Sequence, residues 1–142
     1  MAEKKLQQAI AQSYYLGAGV DQKSWPKPDV DEVAFIGRSN VGKSSVIASL
    51  LNNKKLVQIS KTPGKTRILH FYVVPEIICL VDLPGYGYSK ASKKENALIE
   101  KMLRHYFNES RRVKKIFILL DIRRLPSEQD LAIMQGFNTL NL

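Results

Sequence analysis

Cysteine is nearly absent from this chain, with Cys79 alone among 142 residues. An internal disulfide is therefore excluded, which suits a reducing, cytoplasmic setting. Cys79 lies in the run Ile77-Ile78-Cys79-Leu80-Val81, where it is expected as a small buried apolar residue. The only histidines, His70 and His105, have no cysteine or acidic neighbours at metal-ligand spacing. No apolar run approaches the ~18 residues of a membrane span. The N-terminus has no continuous apolar core of signal-peptide length. No membrane partner is expected. Acidic residues are also short, 13 against 22 Lys and Arg, leaving a net charge of +9. That excess favours an anionic partner larger than one nucleotide, and RNA is the natural candidate. The length suits a single domain with a real core, and a monomer is expected.

What the chain does have is concentrated in Gly37-Arg38-Ser39-Asn40-Val41-Gly42-Lys43-Ser44. This matches the phosphate-loop pattern G-x-x-x-x-G-K-[ST]. The apolar run Val33 to Ile36 precedes it, and a helix start, Ser45 to Leu51, follows. Glycine allows backbone angles closed to other residues, so the loop can turn its N–H groups inward around phosphates. The helix N-terminus adds free N–H groups and a positive dipole end. Lys43 is placed to meet the β- and γ-phosphates, and the Ser44 hydroxyl to bind Mg²⁺.

Along the chain, Leu6, Ile10 and Leu16 predict a helix over 1–16, stopped by Gly17 and Gly19. Residues 20–32 read as an irregular lead-in, with Trp25 a packing anchor. A strand follows over Asp31–Ile36, then a helix over Lys43–Asn53. Lys54–Arg67 contains Thr62-Pro63-Gly64-Lys65-Thr66 and reads as a loop. Leu69–Val74 and Ile77–Asp82 read as strands, and the short Pro75-Glu76 link makes them an antiparallel hairpin.

The second of these strands ends in Asp82-Leu83-Pro84-Gly85. A carboxylate at the end of a strand, in a chain with a phosphate loop, can hold Mg²⁺ directly or through water. Gly85 lets its N–H come close to a γ-phosphate. Ser92-Lys93-Lys94-Glu95 is a capping-box pattern opening a helix to about Phe107, with Ile99, Met102, Leu103 and Tyr106 on one face. Ile116–Ile122 reads as a central strand covered on both faces. Ser127 caps a last helix with Leu131, Met134 and Phe137 at a spacing of three. The order β-α-ββ-α-β-α implies an α/β fold with a mostly parallel sheet, helices on both faces and one antiparallel hairpin.

Three segments together resemble the EngB (YihA/YsxC) family of bacterial GTPases: Gly37 to Ser45, Lys61-Thr62-Pro63-Gly64-Lys65-Thr66, and Asp82-Leu83-Pro84-Gly85-Tyr86-Gly87-Tyr88. The resemblance extends over roughly residues 13–138. It implies a P-loop GTPase domain over 31–142 behind an arm over 1–30. It also implies GTP and GDP as ligands, Mg²⁺ as cofactor and slow hydrolysis. A role in assembling the large ribosomal subunit, and in cell division and septation, is implied as well, with that subunit or its rRNA as partner. By position, Ser44 and Thr66 resemble the two Mg²⁺ ligands. Gly64, Lys65, Thr66, Arg67 and Ile68 resemble the first switch, and Asp82, Leu83, Pro84 and Gly85 the second.

Two features bear on mechanism. Tyr86 stands where many GTPases place a water-orienting glutamine, and a tyrosine cannot do that work. Asn40 occupies a position that in related GTPases helps bind an activating K⁺; the alternative is that it only fixes the turn through its side chain. The family also carries a guanine-reading N/T-K-x-D segment on a later strand. No such segment follows Asp121, so the domain is expected to lack its C-terminal strands and to leave a sheet edge unpaired. Two other readings stand beside this one: a P-loop ATPase, and a ribosome- or RNA-binding fragment too weak in nucleotide to cycle.

Overall fold

A computed structural model describes residues 2–57, 68–87, 92–110 and 112–139. Its five-stranded sheet has the order β1-β3-β4-β2-β5, built from β1 (Tyr14–Gly19), β2 (Glu32–Gly37), β3 (Leu69–Val74), β4 (Ile78–Asp82) and β5 (Val113–Leu119). β4, β2 and β5 are mutually parallel, while β3 is antiparallel to both β4 and β1. Only β3 therefore runs against the rest. The sheet is mostly parallel in direction, with the expected β3–β4 hairpin.

Alternation along the strands divides the core in two. Ala34, Ile36, Phe71, Val73, Cys79 and Val81 face one layer, packed against α4 (Lys93–Glu109) and α5 (Glu128–Asn138). Val33, Phe35, Tyr72, Val74 and Leu80 face the other, covered by α2 (Lys43–Leu50), α3 (Lys54–Val57) and Ile10 of α1 (Ala2–Ala11). Strands β2 and β3 are buried along their whole length. Such two-sided burial explains why they read as nearly continuous apolar runs.

Several expectations are corrected. The helix over 1–16 ends at Ala11, and Tyr14–Gly19 is instead strand β1, paired with β3. This gives the sheet a second antiparallel pairing beyond the hairpin. Gly17 has φ 150°, and a Cβ on Gly19 would lie 2.6 Å from the Ser24 backbone, so both glycines serve a bulged strand rather than a helix stop. The helix after the phosphate loop stops at Leu50, with Asn52 left-handed at φ 48°. Lys54–Val57 forms a short helix that buries Val57, not a loop. The second hairpin strand begins at Ile78, because Glu76 adopts φ 60° and Ile77 closes the turn onto Val74.

The strand expected over Ile116–Ile122 runs from Val113 to Leu119 and lies at the end of the strand order, not in its centre. Phe117 is 54 % exposed and Ile122 fully so. An apolar run reports β propensity; it does not report how many neighbours the strand will have. In α5 Asp130 is buried and Ile133 and Phe137 are half-buried against the core, whereas Leu131 and Met134 are exposed. Trp25 packs edge-on against Tyr106, with ring centroids 5.6 Å apart, as an anchor should.

Candidate functional site

The phosphate-loop residues lie where β2 hands over to α2. A Cβ on Gly37 would meet Val41 Cγ1 at 2.7 Å and the Leu119 carbonyl at 3.0 Å, so no larger residue fits. Asn40 takes φ 64° and is exposed; Gly42 takes φ 101°. These left-handed residues turn the chain into the helix. Gly42 is the N-cap of α2, no side chain caps that helix, and its first turn has no acidic residue. By contrast, α4 and α5 both begin with capping boxes whose acidic N3 residues, Glu95 and Asp130, close the helix end. The N-terminus of α2 therefore keeps its donors and its positive dipole for an outside anion.

Asp82 ends β4 in register beside Phe35 of β2. It is 5 % exposed, and the ammonium of Lys43 pairs directly with its carboxylate across a separation of 39 residues. The two motifs that sequence placed far apart thus share one point in space. Ser44, next to Lys43 on the first turn of α2, is exposed. The donor set is hard oxygen, a hydroxyl and a carboxylate, which is the chemistry of Mg²⁺ rather than of a thiophilic metal. Among the described residues there is no cluster of three or more His, Cys, Asp or Glu that could hold a metal by itself. A divalent ion here would need ligand oxygens as well.

Leu83, Pro84 and Gly85 lead from Asp82 back over the loop. Leu83 N–H donates to the Phe35 carbonyl at 3.0 Å. A Cβ on Gly85 would meet Ser39 N and Cα at 3.1 Å, so the glycine is what lets the two backbones touch. Ser39 N–H then donates to the Tyr86 carbonyl (2.9 Å), and Tyr86 N–H to the Gly37 carbonyl (3.2 Å). Arg38 and Tyr86 form a parallel bridge. Arg38, Ser39 and Val41 are half-buried in this contact zone. Of the first-switch positions, Ile68 is half-buried at the start of β3, while Gly64, Lys65, Thr66 and Arg67 lie outside the described residues.

Three neighbours of the site, His70, Asp130 and Ser127, were not among the residues that the sequence assigned to it. His70, opposite Asp82 in register, is buried and hydrogen-bonded through Nδ1 to the Tyr15 hydroxyl at 3.1 Å. Burial lowers its pKa, against the opposing pull of Asp82, and keeps the ring neutral. Asp130 accepts a hydrogen bond from the Tyr86 hydroxyl at 2.5 Å. Arg38 Nη1 donates to Ser127 Oγ at 3.1 Å. The Ser127-to-Asp130 spacing is itself a legible S-x-x-D cap; that Tyr86 and Arg38 reach it is a tertiary fact.

A family profile described as 50S ribosome-binding GTPase matches residues 32–140. The chain is 43 % identical over 134 residues to a protein of Mycoplasma mycoides named probable GTP-binding protein EngB, covering 94 % of this chain and 68 % of that one. It is 47 % identical over 128 residues to the protein of the same name from Alkaliphilus metalliredigens, covering 87 % and 62 %. The chain thus spans about two thirds of the length of these relatives. A crystal structure of a probable GTP-binding protein EngB superposes with a TM-score of 0.62 at 24 % identity, covering 78 % of this chain and 66 % of that chain. The G domain of the Thermotoga maritima FeoB iron transporter gives 0.50 at 26 % identity, with the same coverage.

Proposed function

This chain belongs to the EngB family of P-loop GTP-binding proteins, and from that premise we propose that it binds GTP and GDP with Mg²⁺, hydrolyses GTP slowly, and acts in assembly of the large ribosomal subunit and in normal cell division and septation. The observation that carries the nucleotide reading is the meeting of Lys43 and Asp82 at the open N-terminus of α2. In the nucleotide complex Lys43 turns its ammonium to the β- and γ-phosphates, and loop N–H groups surround them. Ser44 would hold Mg²⁺, with Thr66 as the second protein ligand by family position and Asp82 contributing directly or through water. That ion would neutralise the phosphate charge. Gly85 presents its N–H to the γ-phosphate.

Slow hydrolysis follows from Tyr86. It is 5 % exposed and its hydroxyl is committed to Asp130. Burial, with the neighbouring Asp130, raises its pKa, so it is a neutral phenol with no free base to offer a water. Rate enhancement would come from elsewhere, a K⁺ beside Asn40 being the candidate. Lys54, Lys55, Lys93, Lys94, Arg112, Lys114 and Lys115 are exposed and would meet rRNA phosphates, making association strongly salt-dependent. No described helix is long and apolar enough to cross a membrane.

The test is titration of a fluorescent GDP analogue with Mg²⁺, competed by unlabelled GDP and ADP. Displacement by GDP alone supports the reading; equal displacement by ADP, or no binding, overturns it. Ser44→Ala, at an exposed position, is expected to leave the fold intact and reduce the Mg²⁺-dependent gain in affinity by on the order of tenfold, the worth of one charged contact. An unchanged Mg²⁺ dependence would remove Ser44 from the metal site.

A further inference from the structure

The capping box that opens α5 carries more than its helix. Asp130 Oδ2 accepts from both the N–H and the Oγ–H of Ser127 at 2.7 Å each, which completes the cap. Its other oxygen takes the Tyr86 hydroxyl, and Ser127 Oγ takes Arg38. Neither addition is needed to cap a helix. Through Arg38 the phosphate loop is tied to this point, and through Tyr86 so is the Asp82–Gly85 segment. A Cβ on Gly87, at φ 69°, would meet the Arg38 guanidinium at 3.1 Å and Gln129 Oε1 at 3.3 Å, so the chain beyond Tyr86 is pressed onto the same spot.

We propose that Tyr86 and Asp130 are positioning residues for a triphosphate. The latch between them, backed by Arg38, holds Gly85 against Ser39 so that its N–H is preset for a γ-phosphate. Opening the latch weakens triphosphate binding and leaves diphosphate binding largely in place, because a diphosphate does not reach Gly85. This rests on the nucleotide reading above. Tyr86 borders a cavity of about 580 Å³ between α4 and α5, lined also by Leu103, Phe107, Ile133 and Phe137, and in the open state of the latch the freed ring would turn towards it. A ligand shifts such an equilibrium only through contacts that differ between the two states, and the Gly85 N–H is that contact.

Tyr86→Phe keeps the ring and the α5 cap and removes only the latch hydroxyl; Asp130→Asn keeps an acceptor. Two measurements are made on the full chain. Amide hydrogen exchange of the free protein is expected to quicken about tenfold at Ser39 and Tyr86 in Tyr86→Phe, and less in Asp130→Asn. With Mg²⁺, affinity for a non-hydrolysable GTP analogue is expected to fall about tenfold in Tyr86→Phe while GDP affinity changes less than about twofold. Exchange at the wild-type rate overturns the latch. Parallel loss of both affinities reduces Tyr86 to a packing residue and overturns the positioning role. Wild-type protein that binds neither nucleotide sinks the nucleotide reading and the triphosphate claim together, and the exchange data then decide the latch on their own.

Discussion

On one layer of the sheet, at opposite ends, a tyrosine hydroxyl is hydrogen-bonded to a buried carboxylate. At the C-terminal end of the strands Tyr86 donates to Asp130, and at the N-terminal end Tyr106 donates to Glu32. All four residues are 5 % exposed or less. The two carboxylates nevertheless answer burial in opposite ways. Desolvation raises the pKa of Glu32, only partly offset by hydrogen bonds from Tyr106 and Ser110. Desolvation acts on Asp130 too, but donors from Tyr86 and Ser127, with the Arg38 charge, outweigh it and the pKa is lowered. Glu32 sits in a closed end where Trp25 and Phe71 crowd Tyr106. Asp130 sits at a helix N-terminus beside an arginine of the phosphate loop. The same pair type has its carboxylate shifted up at one end and down at the other, and the surrounding donors and charges decide which.

The largest effect that would test this contrast is at the functional end. Lys43→Ala is expected to reduce nucleotide affinity by on the order of 100-fold and to destabilise the free protein by about 3–5 kcal/mol, because Asp82 is left buried without its cation. Adding Asp82→Ala should recover much of the melting temperature and none of the affinity. A double variant as unstable as the single one would show that pairing is not what holds this end. At the closed end, Tyr106→Phe should lower stability by about 1.5–3 kcal/mol in urea denaturation, by removing a donor from a buried carboxylate. Nucleotide affinity should not move; a loss there would erase the division between the ends.

The smallest effect is in pH dependence, and its two signs differ. The folded pKa of Glu32 is raised above 4.5, so its contribution is present at low pH and is lost as pH rises through the folded value. The folded pKa of Asp130 is lowered below 3.8, so its contribution is present above that value and is lost as pH falls through the folded one. Relative to wild type, Glu32→Gln should therefore gain stability as pH rises from about 4 towards 7, while Asp130→Asn should lose its deficit as pH drops below about 4. Urea midpoints measured across this range check both, and parallel curves would mean the two sites are electrostatically alike.

The contrast also marks where sequence reasoning reaches. The phosphate loop, the Asp82 segment, the hairpin, the Ser92–Glu95 capping box and the Ser127 cap were legible, because each depends on residues close in the chain: glycines with open backbone angles, a serine at the start of a helix, alternating apolar residues. The strand at Tyr14–Gly19 was not, since it is held by pairing with β3, 55 residues away at the Tyr15–His70 contact. Nor was the edge position of β5, because an apolar run looks the same beside one neighbour as beside two.

By itself, then, the sequence determined a glycine-opened turn at Gly37–Ser44 between a strand and a helix, and a carboxylate at the end of a strand, since local sterics and hydrogen bonding settle both. Only the tertiary structure decided that Lys43 meets Asp82, that Gly85 lies on Ser39, and that Tyr86 is tied to Asp130. Those contacts join segments tens of residues apart, and the order in which strands assemble into a sheet, which no local propensity encodes, brings them together.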